Sequence, residues 1–125
     1  MGRAVCEAVS EAEGLELAAL VASSAGHETI AGLEVATELR AFAETGCDVV
    51  VDFTIADATR ALVPFLAMHG IHAVIGTSGF SRDDLDAFRE SLASGGVNGV
   101  LAPNFAISAA LMTRFAAMAA PYFDT

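Results

Sequence analysis

The sequence predicts an α/β fold in which helices cover both faces of a parallel β-sheet. At 125 residues the chain has the length of one domain. Short apolar runs typical of strands alternate along it with longer segments of helical periodicity. Such alternation implies right-handed crossovers and therefore parallel strands. The run Val49–Val51 is apolar at every position, as expected for a strand that helices cover on both sides.

The first part of the chain is predicted to contain two helices and one strand. Residues 4–12 form a helix because their apolar residues recur on one face, and Gly14 ends it. Residues 15–21 are apolar enough for a strand. Residues 23–32 are polar and contain glycine, which is typical of a loop. Residues 37–44 form a second, short helix.

The middle of the chain is predicted to contain two buried strands joined by a helix. Residues 48–53 form the first strand. Thr54 and Asp57 fit a capping box, so the helix is predicted to begin at Thr54 and to end near Gly70. The second strand covers residues 72–75.

The last part repeats the pattern of helix, strand and helix. Ser81 and Asp84 fit another capping box, which predicts a helix from there to about Ala93. Residues 97–101 form the next strand. Residues 107–120 form the last helix, which ends at a proline.

The charge of the chain argues against several kinds of partner. The formal net charge is −10, and no basic cluster offsets it, so binding to nucleic acid is not expected. The longest uncharged run, residues 91–113, is broken by glycines and a proline, so no membrane span is expected. No leader is expected either. Cys6 and Cys47 lie far apart without a paired motif, which favours reduced thiols in a cytoplasmic protein.

Groups suited to a nucleotide follow three of the predicted strands. In open parallel sheets, ligands bind beyond the carboxyl ends of the strands. The residues at those positions are Phe53 and Thr54; Gly76, Thr77 and Ser78; and Ala102, Pro103, Asn104 and Phe105. Each residue alone could be a helix cap, a turn glycine or part of the core. Together, at consecutive strand ends, they indicate one ligand-binding crevice.

The beginning of the chain differs from a complete dinucleotide-binding domain of the Rossmann type. Such a domain opens with a strand and a glycine-rich turn. Here Met1, Gly2 and Arg3 lead directly into the first helix. The chain is therefore predicted to be a partial dinucleotide-binding domain that lacks the first strand.

Four segments in register resemble the 4-hydroxy-tetrahydrodipicolinate reductase family, also called dihydrodipicolinate reductases. That family carries a glycine turn ending in GRMG, followed by VIDFT, GTTGF and APNFS or APNFA. The corresponding segments here are MG at residues 1–2, VVDFT at 50–54, GTSGF at 76–80 and APNFA at 102–106. The segment HGIHAVI at 69–75 is also similar to the family.

The resemblance implies an oxidoreductase that reduces a cyclic dihydrodipicolinate-type intermediate with NADPH or NADH in lysine and diaminopimelate biosynthesis. It also implies roles for individual residues. Gly2 would close the pyrophosphate turn, with Arg3 after it; Phe53 and Thr54 would flank the cofactor; Gly76 and Thr77 would meet the nicotinamide riboside; and Ala102, Pro103, Asn104 and Phe105 would close over the nicotinamide. Ser78 stands where the family has a threonine that helps to bind a substrate carboxylate.

The resemblance also implies that no catalytic residue lies in this chain. The family's signature HHxxKxDAPSGTA belongs to a C-terminal substrate domain, which is expected to be absent here. The chain alone should therefore be a poor catalyst, and the full-length enzyme should be a homo-oligomer. His69 and His72 are expected at the opposite edge of the sheet from the crevice. No metal site is expected, because these histidines lack further ligands.

Two questions remain open at this stage. Residues 21–24 carry no charge that would select NADH or NADPH, and Ser23, Ser24 and His27 could contact either cofactor. The function also has two alternatives. One is the cofactor domain of another amino-acid-pathway dehydrogenase, and the other is a nucleotide-sensing module without catalysis.

Overall fold

Helices and strands alternate along the computed structural model, which describes residues 1–24, 28–102 and 104–123. The elements are α1 (Gly2–Glu11), β1 (Leu20–Val21), β2 (Thr29–Ile30), β3 (Leu33–Ala36), α2 (Arg40–Glu44), β4 (Val49–Asp52), α3 (Ala56–Met68), β5 (His72–Ile75), α4 (Arg82–Gly95), β6 (Gly99–Leu101) and α5 (Ile107–Ala119), followed by a 3₁₀ turn (Ala120–Tyr122). This order confirms the predicted α/β class.

Strands β4, β5 and β6 form a parallel sheet in that order. Val51 pairs with Val74, and Val74 pairs with Val100. Each strand returns to the sheet through a helix, α3 or α4, as parallel neighbours require. All three strands therefore end at the same edge of the sheet.

The core lies between this sheet and the helices α3 and α4. Val63 and Leu66 of α3 are fully buried, and they pack with Val50 and Ile75 of the sheet and Phe88 of α4. On the opposite face Val51 and Val100 are partly exposed. Within the described residues, α5 contributes no buried side chain to either face.

An ion pair joins α3 to α4 at the surface. Arg60 donates from Nε to Asp84 Oδ1 at 2.8 Å and from Nη2 to Asp84 Oδ2 at 3.0 Å. Asp84 also closes the capping box with Ser81, so that sequence prediction is confirmed. The hydrogen bond from Arg60, followed by those from the Ser81 backbone and hydroxyl, holds the pKa of Asp84 well below its ordinary value.

A second small sheet has the order β1-β3-β2. β1 runs parallel to β3, and β2 is antiparallel to it. The two-residue turn between β2 and β3 has positive φ at both Ala31 and Gly32, 50° and 84° respectively, as a type I′ hairpin turn requires. Two predictions were wrong here. Only Leu20–Val21 of the predicted strand 15–21 pairs, and the predicted loop 23–32 contains β2.

The start of α3 also differs from the prediction. Ile55 is its N-cap and provides no side-chain cap, so the predicted capping box of Thr54 and Asp57 is wrong. The hydroxyl of Thr54 donates instead to Asp52. The helix α5 begins three residues after Asn104. Its N-cap is Ala106, and the side chain of Asn104 accepts a hydrogen bond from Ala106 N at 2.9 Å.

Candidate functional site

The ends of β4, β5 and β6 continue side by side beyond the strands themselves. Gly76 N donates to Asp52 O at 2.8 Å, and Ala102 N donates to Ile75 O at 2.9 Å. These bonds extend the sheet ladder into the segments that the sequence singled out. The topology thus brings residues 52–54, 76–78 and 102–105 to one edge, with Pro103 lying outside the described residues.

Two phenylalanine rings meet above this edge. The rings of Phe53 and Phe105 pack edge to face, with centroids 5.3 Å apart and an interplanar angle of 61°. The ring of Phe53 lies over Gly76, where a Cβ atom would overlap it. Glycine is therefore needed at position 76 because the ring uses the space that a side chain would fill. The outer strands of the sheet are linked by this ring pair across the end of the middle strand.

A buried carboxylate lies at the end of β4. Asp52 is only 3% exposed, although it is charged and belongs to a mostly apolar strand. Its Oδ1 accepts from Thr54 N at 2.9 Å and from Thr54 Oγ1 at 2.6 Å. Its Oδ2 accepts from Thr59 Oγ1 at 2.5 Å and from Thr77 Oγ1 at 3.1 Å. These hydrogen bonds compensate for the removal of the carboxylate from water.

The predicted site residues divide into inward-facing and outward-facing groups. The side chain of Thr77 is buried, and its hydroxyl donates to Asp52. Little of this side chain is therefore accessible from the crevice. Thr54, Ser78 and Asn104 are exposed. The hydroxyl of Ser78 makes no hydrogen bond with the described part of the chain. Ser78 is therefore available to an incoming ligand, whereas Thr77 has a fixed structural partner.

The helix α1 offers a place for an anion at its N-terminus. It begins at Gly2, its first turn contains no acidic residue, and no side chain caps it. Free N–H groups at the start of a helix attract phosphates. Arg3 follows Gly2 and forms an ion pair with Glu28. At the start of α4, by contrast, a capping box already occupies the N–H groups of Ser81 and Asp84, and two aspartates stand in the first turn.

The segment that the sequence links to the choice between NADH and NADPH is only partly described. Ser23 and Ser24 follow β1 and are exposed, while His27 lies outside the described residues. A recess of about 410 Å³ lies nearby in the chain, between β3 and α2. It is lined by Glu34, Glu38 and Glu44 together with Arg40. Its excess of carboxylates does not suit a phosphate.

The two histidines in the described residues lie where the sequence predicted. His69 is the C-cap of α3, with Nδ1 2.8 Å from Phe65 O. His72 begins β5, and its Nδ1 accepts from Asn98 N at 2.9 Å. Both lie at the edge where the strands begin, opposite the crevice. Among the described residues no group of three or more possible ligands could hold a metal ion.

The role of Asp52 as a shared hydrogen-bond acceptor was not predicted. The motif containing it was recognised, but its partners Thr59 and Thr77 lie 7 and 25 residues away in sequence. The available signal was a carboxylate within a buried strand followed by several threonines.

In the part of the chain that is described, no helix is long and apolar enough to cross a membrane.

Known proteins with similar sequences and structures agree on one family. Residues 1–105 match the family model described as dihydrodipicolinate reductase, N-terminus. The 4-hydroxy-tetrahydrodipicolinate reductase of Nocardia farcinica is 46% identical over 126 residues, which cover 100% of this chain and 46% of that protein. The enzyme of the same name from Beutenbergia cavernae is 44% identical over 124 residues, covering 98% of this chain and 45% of the relative.

A solved structure shares the same fold. The dipicolinate-bound dihydrodipicolinate reductase from Paenisporosarcina sp. TG-14 superposes with a TM-score of 0.78 at 29% sequence identity. The match covers 97% of this chain and 49% of that structure. The chain spans about half the length of the curated relatives it matches. It belongs to the dihydrodipicolinate reductase family and corresponds to the N-terminal region of its members.

Proposed function

We propose that this chain is the dinucleotide-binding part of an NAD(P)H-dependent 4-hydroxy-tetrahydrodipicolinate reductase. The observation that carries the proposal is the convergence of Phe53, Thr54, Gly76, Ser78 and Phe105 at the carboxyl ends of three neighbouring parallel strands. Dinucleotides bind at this edge in parallel α/β sheets. Family membership supports the same assignment.

The residues present fit the chemical parts of such a cofactor. The uncapped start of α1, at Gly2 and Arg3, suits the pyrophosphate. Thr54 is an exposed residue whose partly buried hydroxyl oxygen can accept from a ribose, and the ring pair of Phe53 and Phe105 offers an apolar surface for a flat ring. When bound, the cofactor supplies the hydride. The protein holds it in place and excludes water from the reacting face.

Ser78 is the proposed contact for the substrate. Its hydroxyl is exposed beside the cofactor edge and makes no hydrogen bond within the described residues. A hydroxyl donor suits one carboxylate of a cyclic dicarboxylate. The related Paenisporosarcina enzyme is described as bound to dipicolinate, which belongs to that chemical class. We extend the proposal to a homo-oligomeric enzyme in the cytoplasm, where Cys6 and Cys47 would stay reduced.

Titration and turnover of the full-length gene product test this proposal. Binding of NADH and NADPH is measured by fluorescence, and turnover by the loss of reduced cofactor with the dihydrodipicolinate-type substrate. Ser78→Ala should raise KM for the substrate roughly tenfold, since it removes one hydrogen bond to a charged group, and leave the cofactor Kd within about twofold. Ser94→Ala, on the exposed side of α4, is the matched control and should change neither value.

Two outcomes would overturn parts of the proposal. Cofactor binding without any turnover by the full-length protein would favour a nucleotide-sensing module over a reductase. An unchanged KM in Ser78→Ala would remove Ser78 from the substrate site. Comparing the Kd of NADH with that of NADPH determines which cofactor the uncharged segment after β1 accepts.

A further inference from the structure

Asp52 is buried at the end of β4, next to the segments that form the proposed cofactor edge. We propose that Asp52 is a positioning residue: it turns the hydroxyl proton of Thr54 inward, so that Thr54 presents only acceptor lone pairs to the cofactor. By holding Thr77 as well, it fixes the segment after β5. This inference rests on the proposed function, because it concerns how that same site selects hydrogen-bond donors of its ligand.

The hydrogen-bond count supports an inward orientation of the protons. Each oxygen of Asp52 receives two contacts, and one of these comes from Thr54 N, which can only donate. A carboxylate without a proton has acceptor sites for all four donors. Thr59 Oγ1 also lies 3.2 Å from Ile55 O, but its contact with Asp52 is shorter. The threonine protons therefore point to the carboxylate.

The partners of Asp52 come from three different parts of the fold. Thr54 belongs to the turn after β4, Thr59 to α3, and Thr77 to the segment after β5. Thr59 is fully buried and donates to Oδ2 of the carboxylate from the helix side. The side chain of Asp52 thus fixes both ligand-facing segments relative to the core. Loops without such a contact would position the site less precisely.

The orientation of Thr54 has a consequence for the ligand. A hydroxyl has one proton and two lone pairs, and the proton of Thr54 is committed to Asp52 at 2.6 Å. Its exposed side can therefore accept from a ribose O–H or an amide N–H but cannot donate to a phosphate. Ser78 and the start of α1 have free donors and can form hydrogen bonds to anionic oxygens. The crevice therefore has two parts. Near Thr54 it accepts hydrogen bonds from the ligand, and near Ser78 and the start of α1 it donates hydrogen bonds to anionic groups.

Substitutions at Asp52, Thr54 and Thr59 distinguish a positioning role of Asp52 from a contribution to stability alone. Asp52→Asn keeps the shape of the side chain but replaces one acceptor with a donor, so four donors can no longer be satisfied together. Thr54→Val removes the outward acceptor, and Thr54→Ser retains it. Thr59→Val is the matched control, because it removes a buried hydrogen bond to the same carboxylate on the side away from the crevice.

The experiment uses the full-length gene product, with NADH and ADP as probes. ADP lacks the nicotinamide riboside and reports on the adenosine half alone. Asp52→Asn and Thr54→Val should each weaken NADH binding about tenfold, equivalent to roughly 1.4 kcal/mol, with ADP binding unchanged within about twofold. Thr54→Ser should bind NADH as the wild type does. Thr59→Val should lower the melting temperature yet leave both dissociation constants unchanged.

Each other outcome has a defined meaning. Equal losses of NADH binding in Asp52→Asn and Thr59→Val would show a merely structural carboxylate and overturn the inference. Wild-type binding by Thr54→Val would overturn it too, even if Asp52→Asn failed to fold. In a double variant, Asp52→Asn with Thr54→Val, the losses of NADH binding should add up to less than the sum of the two single losses, because the part of the effect that Asp52 exerts through Thr54 is already removed. A wild-type protein that binds no dinucleotide would instead overturn the proposed function, and this inference with it.

Discussion

The ring of Phe53 reaches across Gly76 and meets the ring of Phe105, with 5.3 Å between the ring centroids. Phe53 follows β4 and Phe105 follows β6, so the contact joins the two outer strands of the parallel sheet at their ends. The residue that follows the middle strand, Gly76, has no side chain. This allows the rings to pack above it.

The two rings should be energetically coupled. In a double-mutant cycle of Phe53→Leu and Phe105→Leu, the free energy of unfolding should show a coupling of about 0.5–1 kcal/mol, because edge-to-face pairs contribute beyond their buried area. Urea denaturation of the two single variants and the double variant measures it. Losses that add within error would show that the rings stabilise the fold independently.

Gly76→Ala should destabilise the protein by about 1–3 kcal/mol, since the added methyl overlaps the ring of Phe53 and forces it to move. Thermal or urea unfolding gives the value. In a Phe53→Ala background the same substitution should cost far less, because the space is then free. Gly2→Ala is the control, since a Cβ at Gly2 meets nothing within 4 Å and should not destabilise the fold.

Leu66→Ala should cost about 2–5 kcal/mol of unfolding free energy, because Leu66 is fully buried between α3 and the sheet and its removal leaves a cavity. Leu111→Ala provides the same chemical change on α5, where the side chain is 44% exposed. Its cost should stay below about 1 kcal/mol. Similar losses at the two positions would mean that α5 packs as tightly as α3.

The ion pair between Arg60 and Asp84 should make stability depend on acid pH. The pKa of Asp84 is lowered in the folded protein, first by Arg60 and then by Ser81. Its contribution is therefore fully present above the unfolded pKa of about 4 and is lost as the pH falls through the lower folded value. Asp84→Asn should reduce the melting temperature at neutral pH.

The difference between Asp84→Asn and the wild type should shrink as the pH is lowered below about 4. Melting curves from neutral to strongly acidic pH test this. Asp83→Asn is the neighbouring control in the same first helical turn and should follow the wild type more closely. A constant difference at every pH would assign the effect of Asp84 to hydrogen bonding by the side chain rather than to its charge.

Much of the second half of the fold could be predicted from sequence because its signals are local and strong. The strands at Val49–Asp52 and His72–Ile75 are apolar runs, and the capping box of Ser81 and Asp84 marks the start of α4. Once these strands are known to be parallel, their ends must share an edge. The convergence of the candidate site residues follows from that topology.

The β2–β3 hairpin could not be predicted in the same way. β2 has only two residues, too few for an alternating pattern, and its turn has alanine where asparagine or aspartate would signal a type I′ turn. Thr54 was misassigned as a helix cap for a different reason. As an N-cap its hydroxyl would accept from a backbone N–H. Instead it donates to the carboxylate of Asp52, a charge-assisted hydrogen bond that the folded structure shows.

Since the ring at position 53 and any side chain at position 76 would compete for one volume, the two positions are not free to change separately. A sequence that gains a side chain at position 76 must first lose the ring at position 53. A sequence that keeps the ring cannot accept a larger residue at position 76. Comparison of many descendants of the same ancestor should therefore show these two sites evolving as a linked pair.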